Sequence, residues 1–177
     1  MLFRSAGNAT DFGDLSSNDF YEGAACGSST RSLFAAGNQS GNTINYVDPT
    51  HPANSVYFGN LDRHTAYYAK RFCGFSNSTR GIFAGGYDQM AGVATNKIDY
   101  VTIASAGNST LFGDLLNAVS GVAACASTTR GIVAGGDDAS FVPINVIQYV
   151  TIATTGNATD FGDLSATRAQ LAGCSNS

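Results

Sequence analysis

The stretch Phe112-Gly113-Asp114-Leu115 decides the fold of this 177-residue chain, because closely related blocks return along the sequence. The phenylalanine of the block recurs after steps of 46, 54 and 49 residues, at Phe12, Phe58, Phe112 and Phe161. A period of about 50 residues is typical of repeat proteins in which each repeat is one supersecondary unit. The chain is therefore predicted to be an array of similar units.

Two further markers keep a constant distance within the repeat. The arginine of a Thr-Arg pair precedes a glycine by six residues, as Arg130 precedes Gly136. An Asn-x-Ile-x-Tyr motif ends at a tyrosine that precedes the next marker phenylalanine by 12 residues; these tyrosines are Tyr46, Tyr100 and Tyr149. Such fixed spacing indicates that the markers belong to one recurring structure.

Four strands can be read in each unit. In the last full unit, strand a covers 121–126, strand b 131–134, strand c 144–152 and strand d 159–164. Frequent glycine, phenylalanine and tyrosine favour short strands joined by turns. The pairs Gly107-Asn108 and Gly156-Asn157 are predicted to supply the positive φ of a tight hairpin turn before strand d.

A four-stranded antiparallel meander cannot bury both of its faces alone, and packing such sheets around an axis gives a β-propeller. The predicted fold is all-β, a propeller segment with three complete blades and partial blades at both ends. The blades are predicted at 18–63, 65–116 and 118–166, with a strand d at 6–15 and a strand a at 168–177. Residues 1–5 are expected to be a non-native leader, because Leu2-Phe3-Arg4-Ser5 is what a widely used sequencing-adapter end translates to.

The ordered set of markers resembles the kelch repeat, in which an apolar strand ends in a Gly pair and a strand with tyrosine follows. The Gly pair is present at Gly85-Gly86 and Gly135-Gly136, and Tyr46-Val47-Asp48-Pro49 is close to the family's Tyr-Asp-Pro step. Phenylalanine replaces the family's tryptophan. The units are also similar to kelch-like proteins of marine phage tails. The resemblance implies the propeller fold and says little about activity.

The kelch resemblance includes one enzymatic precedent, a copper-radical oxidase whose metal needs two histidines and a cysteine-modified tyrosine. His51 and His64 are the only histidines of this chain, and no second set of ligands accompanies them. We therefore expect no catalytic residue, no cofactor and no metal site. An oxidase fragment is the least favoured alternative.

The cysteines occur once per repeat, at Cys26, Cys73, Cys125 and Cys174. They are predicted to be reduced packing residues of strand a, with disulfides and a metal ring in the channel as alternatives. Basic residues number 9 against 13 acidic ones, for a net charge of −4, so nucleic acid is not an expected partner. No apolar run approaches the ~18 residues of a membrane span, so membrane insertion is not expected.

Alternating strand direction places the b–c and d–a connections on one side of the array, which we call the loop face. Lengths vary between units on this face, whereas the c–d connection keeps its length, and variable loops on a rigid scaffold commonly carry recognition. Aromatic and arginine side chains are enriched at interfaces. The predicted binding residues are Tyr21, Arg63, His64, Tyr67, Tyr68, Arg71, Tyr87, Asp88, Asp137, Asp138 and Phe141.

The leading functional hypothesis is a non-catalytic binding or adhesion module that recognises a protein or a glycan through the loop face. The alternative is a structural repeat array in a larger, phage-tail-like assembly. The sequence leaves the location open, and a virion-associated or extracellular one is compatible with both hypotheses. The open edges of the terminal strands are expected to promote self-association by pairing with another chain.

Overall fold

The computed structural model describes residues 9–16, 22–35, 42–62 and 69–175, and these residues form strands and no helix. The strands are β1 (Ala24–Gly27), β2 (Ser32–Ala35), β3 (Thr43–Val47), β4 (Val56–Asn60), β5 (Ala69–Lys70), β6 (Cys73–Ser76), β7 (Arg80–Ala84), β8 (Tyr87–Asp88), β9 (Val93–Ala94), β10 (Lys97–Thr102), β11 (Thr110–Asp114), β12 (Ala123–Ala126), β13 (Arg130–Ala134), β14 (Val146–Thr151) and β15 (Thr159–Asp163). In this part of the chain, no helix could cross a membrane.

Three four-stranded antiparallel meanders make up most of the structure. Sheet 1 has the order β1-β2-β3-β4, sheet 2 β6-β7-β10-β11 and sheet 3 β12-β13-β14-β15. The prediction of an all-β fold with three complete four-stranded units is confirmed. In sheet 3 the strand ends lie within two residues of the predicted ones. Each sheet is blade-like and supplies strands a to d in chain order.

The sequence markers meet in each sheet as a stack of arginine, tyrosine and phenylalanine. In sheet 2 the Arg80 guanidinium lies 4.7 Å from the centre of the Tyr100 ring, and Tyr100 packs edge-on against Phe112 at 5.9 Å between centres. Sheets 1 and 3 repeat this stack with Arg31, Tyr46 and Phe58, and with Arg130, Tyr149 and Phe161. A bulge in the c–d pairing, between Ile98 and Asp99 in sheet 2, accommodates the phenylalanine.

An asparagine before each strand d joins consecutive units. Its side-chain oxygen accepts a hydrogen bond from a backbone N–H of the preceding strand d or its equivalent. The pairs are Asp14 with Asn54, Asn60 with Asn108, and Asp114 with Asn157, each at 3.0 Å. The glycine of the marker block is required by this contact, because a Cβ at Gly59 or Gly113 would collide with the backbone of the following c–d connection. The repeated sequence therefore encodes the junction between sheets as well as the sheets.

The predicted positive φ at Gly107 and Gly156 is wrong, since neither glycine has it. The reason is that the c–d connection is longer than a two-residue hairpin turn: in sheet 2 it runs from 103 to 109. Positive φ is found instead at both members of the Gly pairs that end strand b, with Gly85 at 65° and Gly86 at 116°. There the Gly86 N–H donates to the Val119 carbonyl at 2.7 Å, which fastens the b–c connection to the d–a connection.

The apolar core lies between consecutive sheets. One cluster joins sheets 1 and 2, with Leu33, Phe58 and Phe83 among its buried members. A second cluster joins sheets 2 and 3 and includes Phe112 and Val150. Sheet 2 therefore buries both of its faces, one against each neighbour, and sheets 1 and 3 each bury the face that meets sheet 2.

The two terminal segments differ from the prediction. The segments 9–16 and 168–175 carry no strand, although strands were predicted at 6–15 and 168–177. A strand is defined by its ladder partner, and neither segment has one among the described residues. Residues 9–16 nevertheless rest on sheet 1 through Asn54. The predicted leader at 1–5, with 6–8 and 176–177, lies outside the described residues.

Candidate binding surface

The loop face has an ordered backbone frame that the sequence did not predict. The b–c connection of sheet 2 folds into the hairpin β8-β9, and β8 also pairs with β5 in the preceding d–a connection. The following unit repeats this frame as single bridges of Asp137 with Ser120 and Pro143. In these registers Tyr87 and Asp137 occupy the same position in successive units. Two predicted binding residues are thus fixed by backbone pairing.

Arg71 and Asp137, 66 positions apart in the chain, are brought together as an ion pair. The Arg71 Nη2 atom lies 2.6 Å from Asp137 Oδ2, and the two side chains are 17% and 11% exposed. A Cβ at Gly121 would lie 2.9 Å from the same Nη2, so this glycine leaves room for the guanidinium. Because a mostly buried charge is costly without its partner, the pair acts as a support that ties the start of sheet 2 to the loop of sheet 3.

Asp88 and Asp138 use their carboxylates within their own loops. Asp88 is buried, and its Oδ1 accepts the N–H groups of Met90 and Ala91, both at 2.9 Å. Asp138 Oδ1 accepts the N–H groups of Ser140 and Val142, at 2.8 and 3.0 Å. These carboxylates cap turns, and their main contribution to the face is the shape of the two loops.

The loops shaped in this way present an aromatic pair, Tyr87 and Phe141, which we call the aromatic platform. The ring centres are 5.4 Å apart and the rings are inclined at 46°. Phe141 is 54% exposed and has a φ of +59°, a left-handed conformation that bulky residues rarely adopt. Its N–H donates to the Asp138 carbonyl at 3.0 Å, so the capped turn holds the strained residue in place. Large apolar side chains at Met90, Val93 and Val142 are exposed on the same loops.

The position just before each strand a, together with its equivalent before residues 171–175, forms a chain of backbone hydrogen bonds. The N–H of Arg71 donates to the Glu22 carbonyl, that of Gly121 to Arg71, and that of Gln170 to Gly121, at 2.7 to 2.8 Å. All four residues have a φ between +56° and +65°. They line a cavity of about 320 Å³. Sequence reasoning missed this feature because the residue types differ; only Gly121 signals the left-handed conformation.

The three strands a and the segment 171–175 line a second cavity, of about 330 Å³. Cys26, Cys125 and Cys174 border it, whereas Cys73 lies two positions earlier on its strand, where Phe75 takes the place equivalent to Cys26. Burial raises the pKa of the Cys26 thiol to about 12. Across the described ranges, no group of three or more histidine, cysteine or acidic side chains could hold a metal ion.

The structure gives no position on this surface for the other predicted binding residues. Tyr21, Arg63, His64, Tyr67 and Tyr68 lie outside the described residues. The other histidine, His51, lies in the c–d connection of sheet 1 and contacts Asp48 at 2.9 Å. The Thr50 hydroxyl and N–H, and then His51, lower the pKa of Asp48 to about 2.

No protein-family model matches the chain, and no curated protein sequence matches it. The loop face is therefore the basis for the functional proposal.

Proposed function

We propose that this chain is a kelch-like propeller segment that acts as a non-catalytic binding or adhesion module, recognising a protein or a glycan through the loop face. The observation that carries this proposal is the aromatic platform, in which an exposed Phe141 is kept at a strained φ beside Tyr87. Strained residues persist only where the surrounding structure enforces them, and they cluster at ligand-binding sites. Exposed aromatic side chains are also the type that dominates binding energy.

The surroundings of the platform support the same proposal. The Arg71–Asp137 ion pair and the caps at Asp88 and Asp138 hold the two loops without using the aromatic rings. A binding surface gains affinity when its side chains are ordered before the ligand arrives, because less conformational entropy is then lost. Under this proposal the six predicted residues that the structure describes divide into two contact residues, Tyr87 and Phe141, and four supporting ones.

The kelch assignment is supported by the positive φ of the Gly pairs and by the tyrosine and phenylalanine that pack together in each sheet. The oxidase alternative has less support, because His51 sits in a c–d connection, which belongs to the side opposite the loop face. Tyr21, Arg63, His64, Tyr67 and Tyr68 remain predicted contributors to binding.

The experiment is a screen of glycan and protein arrays with the labelled chain, followed by titration of any hit with two variants. F141A removes the exposed ring of the platform. L111A is the matched control, because Leu111 is equally exposed, at 53%, but lies on strand d of sheet 2 away from the loops. A central aromatic contributes about 2 kcal/mol or more, so F141A is expected to weaken binding by about thirtyfold or more.

The result of the screen separates the two hypotheses. L111A should bind like the wild type. Equal affinity of F141A and wild type would contradict the proposed contact. Arrays that retain no ligand would favour the alternative, a structural repeat array in a phage-tail-like assembly.

A further inference from the structure

Ten residues occur twice in the chain without a single difference. Residues 7–16 and 156–165 both read GNATDFGDLS. Of the first segment the structure describes residues 9–16, and the second segment, 156–165, includes β15 of sheet 3. One sequence therefore occurs in two settings within one molecule, which makes its contacts directly comparable.

The first segment, residues 9–16, is docked on sheet 1. The Asp14 N–H donates to Asn54 Oδ1 at 3.0 Å, the Asp14 carbonyl accepts from the Ser55 N–H at 2.9 Å, and the Ser16 N–H donates to Ser55 Oγ at 3.0 Å. Gly13 lies against the Ala53 backbone so closely that a Cβ would collide with it. The first two of these bonds recur between sheets 1 and 2 and between sheets 2 and 3, and the third recurs between sheets 1 and 2, from the Asp62 N–H to Ser109 Oγ.

The repeated segment 156–165 has no such partner among the described residues. Nothing lies within 4 Å of a Cβ built at Gly162. Phe161 is 54% exposed, whereas its equivalents Phe58 and Phe112, which a following sheet covers, are 1% and 3% exposed. Sheet 3 therefore presents an apolar face and a glycine shaped for a c–d connection that carries asparagine.

We propose that sheet 1 of a second copy of this chain docks on sheet 3, so that residues 158–165 replace the identical segment 9–16 of that copy. In this docking the Asp163 N–H donates to Asn54 of the second copy, and the Asp163 carbonyl accepts from its Ser55. Arg31 and Arg80 donate to the carbonyls of Ile103 and Ile152 in the following sheet, so Arg130 is placed to reach the equivalent Pro49 carbonyl of the second copy.

The inner strands exchange in the same way. Residues 171–175 lie beside β12 as β6 lies beside β1: a Cβ at Gly173 would meet the Ala124 carbonyl oxygen at 2.5 Å, and one at Gly74 the Ala25 carbonyl oxygen at 2.6 Å. Strand β1 of the second copy takes the place of 171–175. Two chains joined twice in this manner bring six sheets together, a number within the 4–8 blades of known propellers.

A second copy is the favoured occupant because the face it meets has the sequence that sheet 1 already binds. Each chain's own segment 9–16 competes with the incoming one at the effective concentration of a tethered group. Association is therefore expected to be concentration-dependent. The competition also provides a test that uses the full chain and a single kind of substitution.

The experiment compares G13A with G162A by sedimentation velocity over a wide range of concentrations. Both glycines have nearly the same φ, +143° and +140°, so the backbone strain of the substitution is matched. G13A drives the chain's own segment from the Ala53 backbone and frees sheet 1 for a partner, whereas G162A leaves the single chain without a clash but blocks docking. We expect G13A to lower the association midpoint, and G162A to raise it, on the order of tenfold each.

The double variant G13A/G162A should associate no better than G162A, and circular dichroism of each variant checks that the sheets are retained. The proposal would be overturned by a wild type and a G13A that both remain monomeric at every concentration. It would also be overturned by a G13A that associates less than the wild type, because the segment 9–16 would then be part of the contact instead of its competitor.

Discussion

Replacing Arg80 with alanine tests whether the arginine of each repeat holds neighbouring sheets together. The Arg80 guanidinium stacks on Tyr100 at 4.7 Å and donates to the Ile152 carbonyl of sheet 3 at 2.9 Å. The stacking contributes about 0.5–2 kcal/mol and the charge-assisted hydrogen bond about 1.5–3 kcal/mol. We therefore expect R80A to lower the free energy of unfolding by about 2–5 kcal/mol.

Arg130 supplies a matched control for this prediction. It stacks on Tyr149 at the same 4.7 Å, but the described residues offer its guanidinium no carbonyl of a following sheet. R130A should therefore lose the stacking alone, about 0.5–1 kcal/mol at an exposed site. The difference between the two variants isolates the bond between sheets.

Urea unfolding followed by circular dichroism and tyrosine fluorescence measures this difference, since the chain has no tryptophan. With a slope of about 1–3 kcal/mol per M, the two midpoints should differ by about 1 M. Hydrogen exchange at Gly156 and Ala158, whose N–H groups donate to sheet 2, gives a local measure if unfolding is not two-state. Midpoints that agree within about 0.3 M would refute the reasoning.

Three further predictions concern a glycine, the ion pair and a thiol. G113A should destabilise the chain by about 1–3 kcal/mol because its Cβ would meet the backbone at Gly156, whereas G107A, with open space, should not; thermal unfolding compares them. R71M should cost about 3–5 kcal/mol in urea unfolding by leaving Asp137 buried and unpaired, and R71M/D137L should recover most of it; equal losses would argue against the pair. The pKa of Cys26 is raised to about 12 from 9.0, so the folded state holds this proton more tightly and stability is lost as pH rises from about 9 towards 12. C26A should reduce that alkaline loss in a pH series of urea midpoints, and an unchanged series would contradict the assignment.

The three large sheets could be predicted from the sequence because each marker has a fixed place in a ladder. Tyr100 and Phe112 keep their spacing because a ring on strand c packs against a ring on strand d across one bulge. The small sheet β5-β8-β9 could not be predicted in this way. Its strands are two residues long, too short for an alternating pattern, and arise from pairing between separate connections.

The candidate surface was predicted as a set of loop residues, but not as an arrangement. Loop position and residue type were enough to select Tyr87, Phe141, Arg71 and Asp137. Which of them face each other depends on how consecutive sheets are placed, and that information is spread over the junction contacts. For the same reason, the sequence could not show whether Asp88 is an exposed acidic residue of the loop or, as the structure has it, a buried residue that caps a turn.

The residues that recur in every unit and those that differ between units have separate roles, and this bears on where a ligand would bind. Residues that recur in every unit, such as the arginine, tyrosine and phenylalanine of each sheet, are engaged in packing within a sheet or in the junction between sheets. On the loop face, by contrast, one frame position carries Tyr87 in one unit and Asp137 in the next, and each is held by the same two backbone pairings. Because the backbone does not depend on the side chain there, that position is free to take up different chemistry: a ring of the platform in one unit and a supporting carboxylate in the other. Under the proposed binding function, specificity therefore has to be sought in the differences between units.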